Sequence, residues 1–278
     1  MGTELYGRVC KLVVAPSGGG EGLSVEDLRI TFRVEKTSSS EPNKATIQVY
    51  NLNQWSRQRV EEKNQALVLT AGYEDVSARI FVGVVKRVEH RRVPPDIVTE
   101  LECADGGVDL ETAEFRRSYK AGTSRLRVVK DIITAMPNTD TGPLTASGLS
   151  GSIPGRLALS GGCRHVLNRL ARSWGFEWSI QDGAIQVLTE ASGTVNPQAL
   201  AVVLSPETGL IGSPTKTNRG AKFKSLLMPT INPGSFVSLD SAFVKGYYKA
   251  ESTSDEGDTH SSSWHTEVEG KTLPDGTS

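Results

Sequence analysis

The chain has 278 residues, with 31 Lys and Arg against 32 Asp and Glu and a formal net charge of -1. So even a balance excludes a global field that would draw the protein to nucleic acid or an anionic membrane, and leaves partner choice to local surfaces. The length suffices for one large domain or two to three ordinary ones, and Cys10, Cys103 and Cys163, odd in number and without a CxxC pair, fit buried thiols in a reducing compartment.

The first hundred residues alternate with period two. In DLRITFRVEKT, Leu28, Ile30, Phe32 and Val34 alternate with Arg29, Thr31, Arg33 and Glu35, the pattern of a half-buried strand. After the turn signal SSSEPN, the stretch NKATIQVYNL puts Ala45, Ile47 and Val49 on one side, so the two segments read as an antiparallel hairpin. Further strands are expected at ALVLTAGY, ARIFVGVVKRVEH and DIVTELECA, with one or two helical turns in NQWSRQRVEEKN. The glycine-rich SGGGEGLS, residues 17 to 24, lies between strands with no helix behind it, and reads as a hairpin loop rather than a phosphate cradle.

The middle changes period. From Thr123, SRLRVVKDIITAM places Val129, Ile132, Ile133 and Met136 on one stripe of a helix, with Thr123 or Ser124 available as the cap and Pro137 as the stop. A second helix is expected from Gly162, burying Cys163, Val166, Leu167, Leu170, Ala171 and Trp174 and ending at Gly175. FEWSIQDGAIQVL then reads as a hairpin, and the intervening PNTDTGPLTASGLSGSIPG as an exposed loop. From Ala201 the β pattern returns in SLLMPTINPGSFVSLDS, FVKGYYKAEST and WHTEVEG. The expected division is therefore residues 1–104, a first β domain; 105–192, an α+β middle domain; and 193–278, a second β domain whose small size requires it to pack on the first or on another subunit.

No window approaches the ~18 apolar residues of a membrane span, and the Met-Gly start lacks a basic, apolar leader, so neither membrane anchor nor export signal is expected. Tyr6 stands where myristoylation needs Ser or Thr. No GxSxG elbow occurs, Cys163 and His165 fall on different helix faces, and the basic run KRVEHRR is interleaved with acids, so neither a nucleophilic site nor a nucleic-acid platform is built. The densest polar chemistry lies in DEGDTHSSSWHTE, residues 255 to 267, where Asp258, His260 and His265 are the residual candidates for a metal. A strand through WHTEVEG puts His265 beside Glu267 and leaves Asp258 and His260 in the preceding turn, too few convergent ligands for zinc or calcium. The segment therefore reads as a polar hairpin tip facing water or a neighbouring subunit, anchored by Trp264, and no metal, cofactor or catalytic residue is expected.

Several of these segments together resemble a family. LRITFRVEKT, then PNKATIQVYNL at residues 42 to 52, the helix after KAGTS, and the closing Gly257, Asp258, Trp264 and Thr266 are similar to the baseplate hub proteins of contractile-tailed phages, T4-like and Mu-like. Where such hubs commonly carry His two positions before the Gly-Asp, this chain has Asp255, so no role of that histidine carries over. The resemblance covers most of the chain and implies a non-enzymatic virion protein, assembled in the host bacterial cytoplasm, with two tail-tube-like β-barrel domains flanking the helix-hairpin unit. It implies a homotrimer imitating a six-fold ring, with tail tube or tube initiator, central spike and baseplate wedge proteins as partners, and DNA passing through without specific binding. No fused peptidoglycan hydrolase is visible. The equivalent hub of a contractile bacteriocin or injection device has the same signature, and a β-rich carbohydrate-binding or adhesion protein remains the alternative of another class. That alternative needs exposed aromatics, and Trp55 alone sits in a surface segment, Trp174 and Trp178 being expected in the core.

Overall fold

The computed structural model describes residues 6–17, 19–188 and 201–273. They fall into two compact units, one within residues 1–37, 43–105 and 193–278, the other within 38–42 and 106–192.

In the first unit, β1 (Arg8–Pro16) and β2 (Leu23–Val25) form the expected hairpin around the glycine-rich loop, of which residue 18 lies outside the described residues. β3 (Ile30–Thr37) and β4 (Lys44–Tyr50) pair antiparallel, with Ile30, Phe32, Val34, Ala45, Ile47 and Val49 buried and Arg33 and Glu35 exposed. Lys36 breaks the alternation: it is buried on the apolar side, and its Nζ donates to Asn232 Oδ1 at 2.8 Å. Helix α1 (Gln54–Glu61) is capped by the Asn53 side chain, which accepts from the Ser56 N–H at 2.8 Å. β5 (Gln65–Tyr73), β6 (Val76–Val93) and β7 (Asp96–Ala104) complete the N-terminal block.

The second unit holds α2 (Gly107–Thr112), β8 (Glu114–Tyr119), α3 (Arg125–Thr134), β9 (Asp140–Leu144), β10 (Leu157–Gly162), α4 (Cys163–Trp174), β11 (Glu177–Gln181) and β12 (Ala184–Leu188). The apolar stripes of α3 and α4 are buried together with Phe115, Trp178 and Ile185. Gly175 ends α4 in the left-handed conformation at φ 68°, its N–H donating to Ala171 O at 2.9 Å. Ser124 occupies the N-cap of α3 without a side-chain capping bond. The stretch expected as an exposed loop is instead partly structured. β9 lies parallel to β12, and Ala146, Leu149 and Ile153 reach the core, because these few apolar groups gain more from burial than the Gly and Pro residues around them cost.

The chain then returns to the first unit as β13 (Val202–Leu204), β14 (Leu210–Lys216), β15 (Gly220–Leu226), β16 (Phe236–Asp240), β17 (Lys245–Asp258) and β18 (Trp264–Thr272). One 13-stranded sheet follows the path β14-β15-β18-β17-β3-β4-β7-β6-β5-β1-β2, with β16 beside β17 and β13 beside β16. Strand β17 joins the blocks: residues 245–249 pair with β16, and residues 252–258 pair with β3. Two cores lie along the sheet. The N-terminal one gathers Leu12, Ile30, Phe32, Ile47, Leu67 and Leu101 with Leu227 and Trp264; the C-terminal one gathers Leu204, Phe223, Val237, Tyr248, Ala250 and Val268.

The molecule is thus mainly β with an α+β unit, as expected. The two expected barrels are not closed by their strand ladders, since the sheet path runs open from β14 to β2 and a 14-residue β17 continues from one block into the other. The blocks expected as residues 1–104 and 193–278 share that sheet, and the expected boundary at 192/193 lies outside the described residues.

Candidate functional site

The polar segment 255–267 forms the expected hairpin, with residues 260–263 exposed at its tip and Trp264 buried, but the residues flanking the tip are more buried than expected. β17 runs on to Asp258 and β18 starts at Trp264, so the turn is confined to residues 259–263, and Asp255, Asp258, His265 and Thr266 are buried. Burial of Asp258 is compensated by the distant Arg29, and that of Asp255 and Thr266 by their bond to each other across the hairpin.

The four residues that carry the family resemblance have separate physical roles here. Gly257 stands opposite both Phe32 and Trp264, and a Cβ at that position would run into the Phe32 ring and come within 2.8 Å of Trp264 Cε3. Its bare backbone lets Trp264 meet Phe32 edge to face, with centroids 5.4 Å apart at 74°. Asp258 receives Arg29 Nε at 3.1 Å and Nη2 at 2.7 Å, and the His260 N–H at 2.9 Å. Thr266 Oγ1 donates to Asp255 Oδ1 at 2.6 Å and accepts from the Met228 N–H at 3.1 Å. Asp255, which replaces the histidine of the resemblance, is thus a hydrogen-bond acceptor within the hairpin. Arg8 fastens the turn from outside, its guanidinium reaching the carbonyls of Asp258, Ser261 and Ser262 and lying 5.4 Å from the Trp264 ring centroid.

Of the metal candidates, Asp258 is engaged by Arg29, and His260 Nδ1 lies 3.0 Å from Thr259 Oγ1. His265 Nε2 faces Glu256 Oε2 at 3.4 Å and Glu267 Oε1 at 3.7 Å. Among the described residues, no group of three His, Cys, Asp or Glu side chains is assembled that could hold a metal ion. Burial pushes the Asp258 carboxyl up, but the Arg29 hydrogen bonds, the His260 N–H, the Ser261 hydroxyl and the Arg29 charge outweigh it and hold the group at about 2. His265 is pushed below its ordinary range by burial and by the Lys224 charge, against the pull of Glu256 and Glu267. Burial raises the Cys10 and Cys103 thiols to about 12, which makes them inert packing groups.

The polar face of the sheet carries charges in register. One cross-strand row runs His265, Glu256, Arg33, Thr46, Glu102, Arg87, with Arg33 Nη1 3.0 Å from Glu256 and Arg87 Nη1 3.6 Å from Glu102. The next runs Lys224, Glu267, Ser254, Glu35, Lys44. The basic run of β6 is offset in the same way: Arg87 meets Glu89 at 3.1 Å, Arg91 meets Glu100 at 2.8 Å, and His90 Nε2 meets Glu61 at 3.0 Å. Exposed pairs of this kind contribute little to stability, about 0 to 1 kcal/mol each. Their effect is to leave the face charged in detail and close to neutral in sum.

The large apolar groups that remain exposed are Tyr6, Trp55, Val93, Val203, Ile211 and Phe243 among the described residues. Trp55 lies under Arg59, whose Cζ is 6.0 Å from its ring centroid, and Trp178 is buried as expected, with Nε1 donating to Asn168 Oδ1 at 2.9 Å. No helix among the described residues is long and apolar enough to cross a membrane.

Sequence signals for the missed partners are thin, because Arg8 and Arg29 sit some 250 and 229 positions from the groups they hold. Period-two alternation located the strands but could not say which distant strand each would meet.

A family model described as "Baseplate hub gp41" matches residues 11–246. No curated protein matches the chain. A tail protein from Neisseria meningitidis MC58 superposes with TM-score 0.64 at 11% identity, over 96% of this chain and 97% of that one. The 43 kDa tail protein of prophage MuSo2 from Shewanella oneidensis gives TM-score 0.64 at 10% identity, over 96% and 98%. The E. coli c3393 protein, described as a component of the type VI secretion system with structural similarity to the T4 tail proteins gp27 and gp5, gives TM-score 0.62 at 11% identity, over 94% and 77%. At such identities the likeness is one of fold.

Proposed function

The chain belongs to the Baseplate hub gp41 family, and on that premise we propose that it is the structural hub of a phage baseplate, a homotrimeric ring with pseudo-six-fold symmetry between the tail tube and the central spike. The observation that carries this reading is the pair of β blocks, each with its own core, set along one sheet by β17. Two tube-like β domains per chain give three chains six such domains, which is how a three-fold body can match a six-fold tube. The free edges at β14, β2 and β13 carry no further strand among the described residues and supply backbone groups for neighbouring subunits.

In this reading the protein acts without catalysis, as a virion component assembled in the host cytoplasm, with tube or tube-initiator, spike and wedge proteins as partners. The ion-paired polar face suits a channel wall: charges compensated in register offer DNA neither a strong attraction nor a net repulsion, so it passes without specific binding. The same hub in a contractile injection device is favoured by one observation, the fold shared with the E. coli secretion component. The carbohydrate-binding alternative is not favoured, since the exposed Trp55 has Arg59 beside its ring and is not joined by a second aromatic ring among the described residues.

Sedimentation velocity and negative-stain imaging of the purified protein test the proposal. A species of three times the chain mass with a central hole is expected. A strictly monomeric protein that stays monomeric on addition of its spike protein overturns it.

A further inference from the structure

The two β blocks repeat one strand arrangement. In the N-terminal block the β3–β4 and β6–β7 hairpins join through β4 and β7; in the C-terminal block the β14–β15 and β17–β18 hairpins join through β15 and β18, in the same chain order. The third strand of each set is the long one. β6 pairs with β5 over residues 76–84 and shifts register against β7 between Val85 and Arg87. β17 pairs with β16 over residues 245–249 and shifts register against β18 between Ala250 and Ser252. Beyond these shifts the blocks differ. Residues 252–258 of β17 pair with β3, whereas residues 87–93 of β6 have β7 on one side and no strand on the other among the described residues. The counterpart of β3 in the C-terminal block is β14, whose outer edge is likewise unpaired among the described residues. These two free edges are the opposite ends of one open run, β14-β15-β18-β17-β3-β4-β7-β6, so within one chain they do not pair.

We propose that β14 of one chain pairs antiparallel with residues 87–93 of β6 in a second copy, repeating between chains the β3–β17 junction that each chain makes within itself. The repeat also sets the register. Counted from the two shifts, Arg87 matches Ser252 and Val93 matches Asp258; across the sheet, Glu102 matches Glu269, Gln48 matches Lys224 and Thr31 matches Ile211. Asp258 stands opposite Thr31, so the same register sets Val93 opposite Ile211. An independent observation agrees with this. Val93 and Ile211 are among the few large apolar residues left exposed, at 52% and 38%, and opposite one another they form an apolar cross-strand pair. A contact between two unlike edges is head-to-tail, so its repetition can close a ring. That closure rests on the trimer proposed above.

The test is oxidative cross-linking of the full-length chain carrying both Val93→Cys and Ile211→Cys, with its spike protein added if the chain alone is monomeric in sedimentation. Opposite residues of an antiparallel pair lie about 4.5 to 5.5 Å apart at Cα, within reach of a disulfide. The native cysteines are buried, and both substituted positions are exposed, so the fold tolerates the changes. A covalent ladder ending at three times the chain mass is expected, and either substitution alone is expected to give none. Val93→Cys combined with Phe243→Cys, at a residue 78% exposed in the β16–β17 turn, controls for chance collision and is expected to give none. Equal cross-linking of that control, or a disulfide confined within one chain, overturns the proposal. A trimer in sedimentation without the cross-link overturns this interface and leaves the ring standing, whereas a chain that is monomeric throughout overturns both.

Discussion

Arg29 grips Asp258 through two hydrogen bonds, Nε to Oδ1 at 3.1 Å and Nη2 to Oδ2 at 2.7 Å, across 229 positions of sequence. The grip holds the Asp258 carboxyl at about 2, below its ordinary 3.8. As pH falls, the unfolded chain takes up this proton first, so the stabilisation is complete above about pH 4 and is lost between about pH 4 and 2. Asp258→Asn is expected to lower stability at neutral pH by about 1 to 2 kcal/mol, after allowance for solvent screening, and to flatten that acid limb. Urea midpoints measured across the acid range check both.

Gly257→Ala tests the close approach at the hairpin. The added methyl would displace the Phe32 and Trp264 rings that pack there, at a cost of about 1 to 3 kcal/mol. Thermal unfolding gives the loss, and near-ultraviolet dichroism reports whether the ring pair is disturbed.

Thr266→Val keeps shape and removes the hydroxyl that donates to Asp255 and accepts from the Met228 N–H. The Met228 amide then loses its acceptor, and stability is expected to fall by about 1 to 3 kcal/mol. Hydrogen exchange at Met228 should accelerate beyond the global change.

Val203→Lys probes assembly. Val203 is 57% exposed on the free edge strand β13, so unfolding of the isolated chain is expected to change by less than about 0.5 kcal/mol, while the trimer of the proposed ring dissociates at a higher concentration. Concentration-dependent sedimentation separates the two effects.

His260→Ala addresses the metal question. With Asp258 committed to Arg29 and His265 to the Glu256 row, protein purified without added metal is expected to carry no stoichiometric zinc or iron, and the substitution to leave the unfolding midpoint unchanged. Elemental analysis and thermal unfolding check this.

Local pattern made most elements legible. The β3–β4 hairpin, α3, α4 and the β11–β12 hairpin each follow from apolar spacing and a turn or stop residue within a short window. β9 was hidden because DTGPL lacks apolar alternation and offers Thr141 alone as a β-branched residue between Asp, Gly and Pro, and it owes its strand form to the edge offered by β12. The hairpin tip is exposed as its polar residues suggest, but the burial of the flanking Asp258 could not be read from sequence, because it rests on the distant Arg29 and Arg8. Trp264 as the anchor was visible; the lysine buried at position 36 was not, since its acceptor is Asn232, 196 positions away.

Strand β17 has a mechanical consequence. Its 14 residues extend for about 46 Å at the usual rise per residue, with β18 along one side and β16 and then β3 along the other. Tension directed along it loads those ladders in shear, many hydrogen bonds at once, instead of peeling them singly. Glu251, the residue left over where the register with β18 shifts between Ala250 and Ser252, sits where the strand passes from one core to the other. The backbone there is a load path between the two blocks, so a pull on one is delivered to the other through covalent bonds and not across a side-chain interface that could slip.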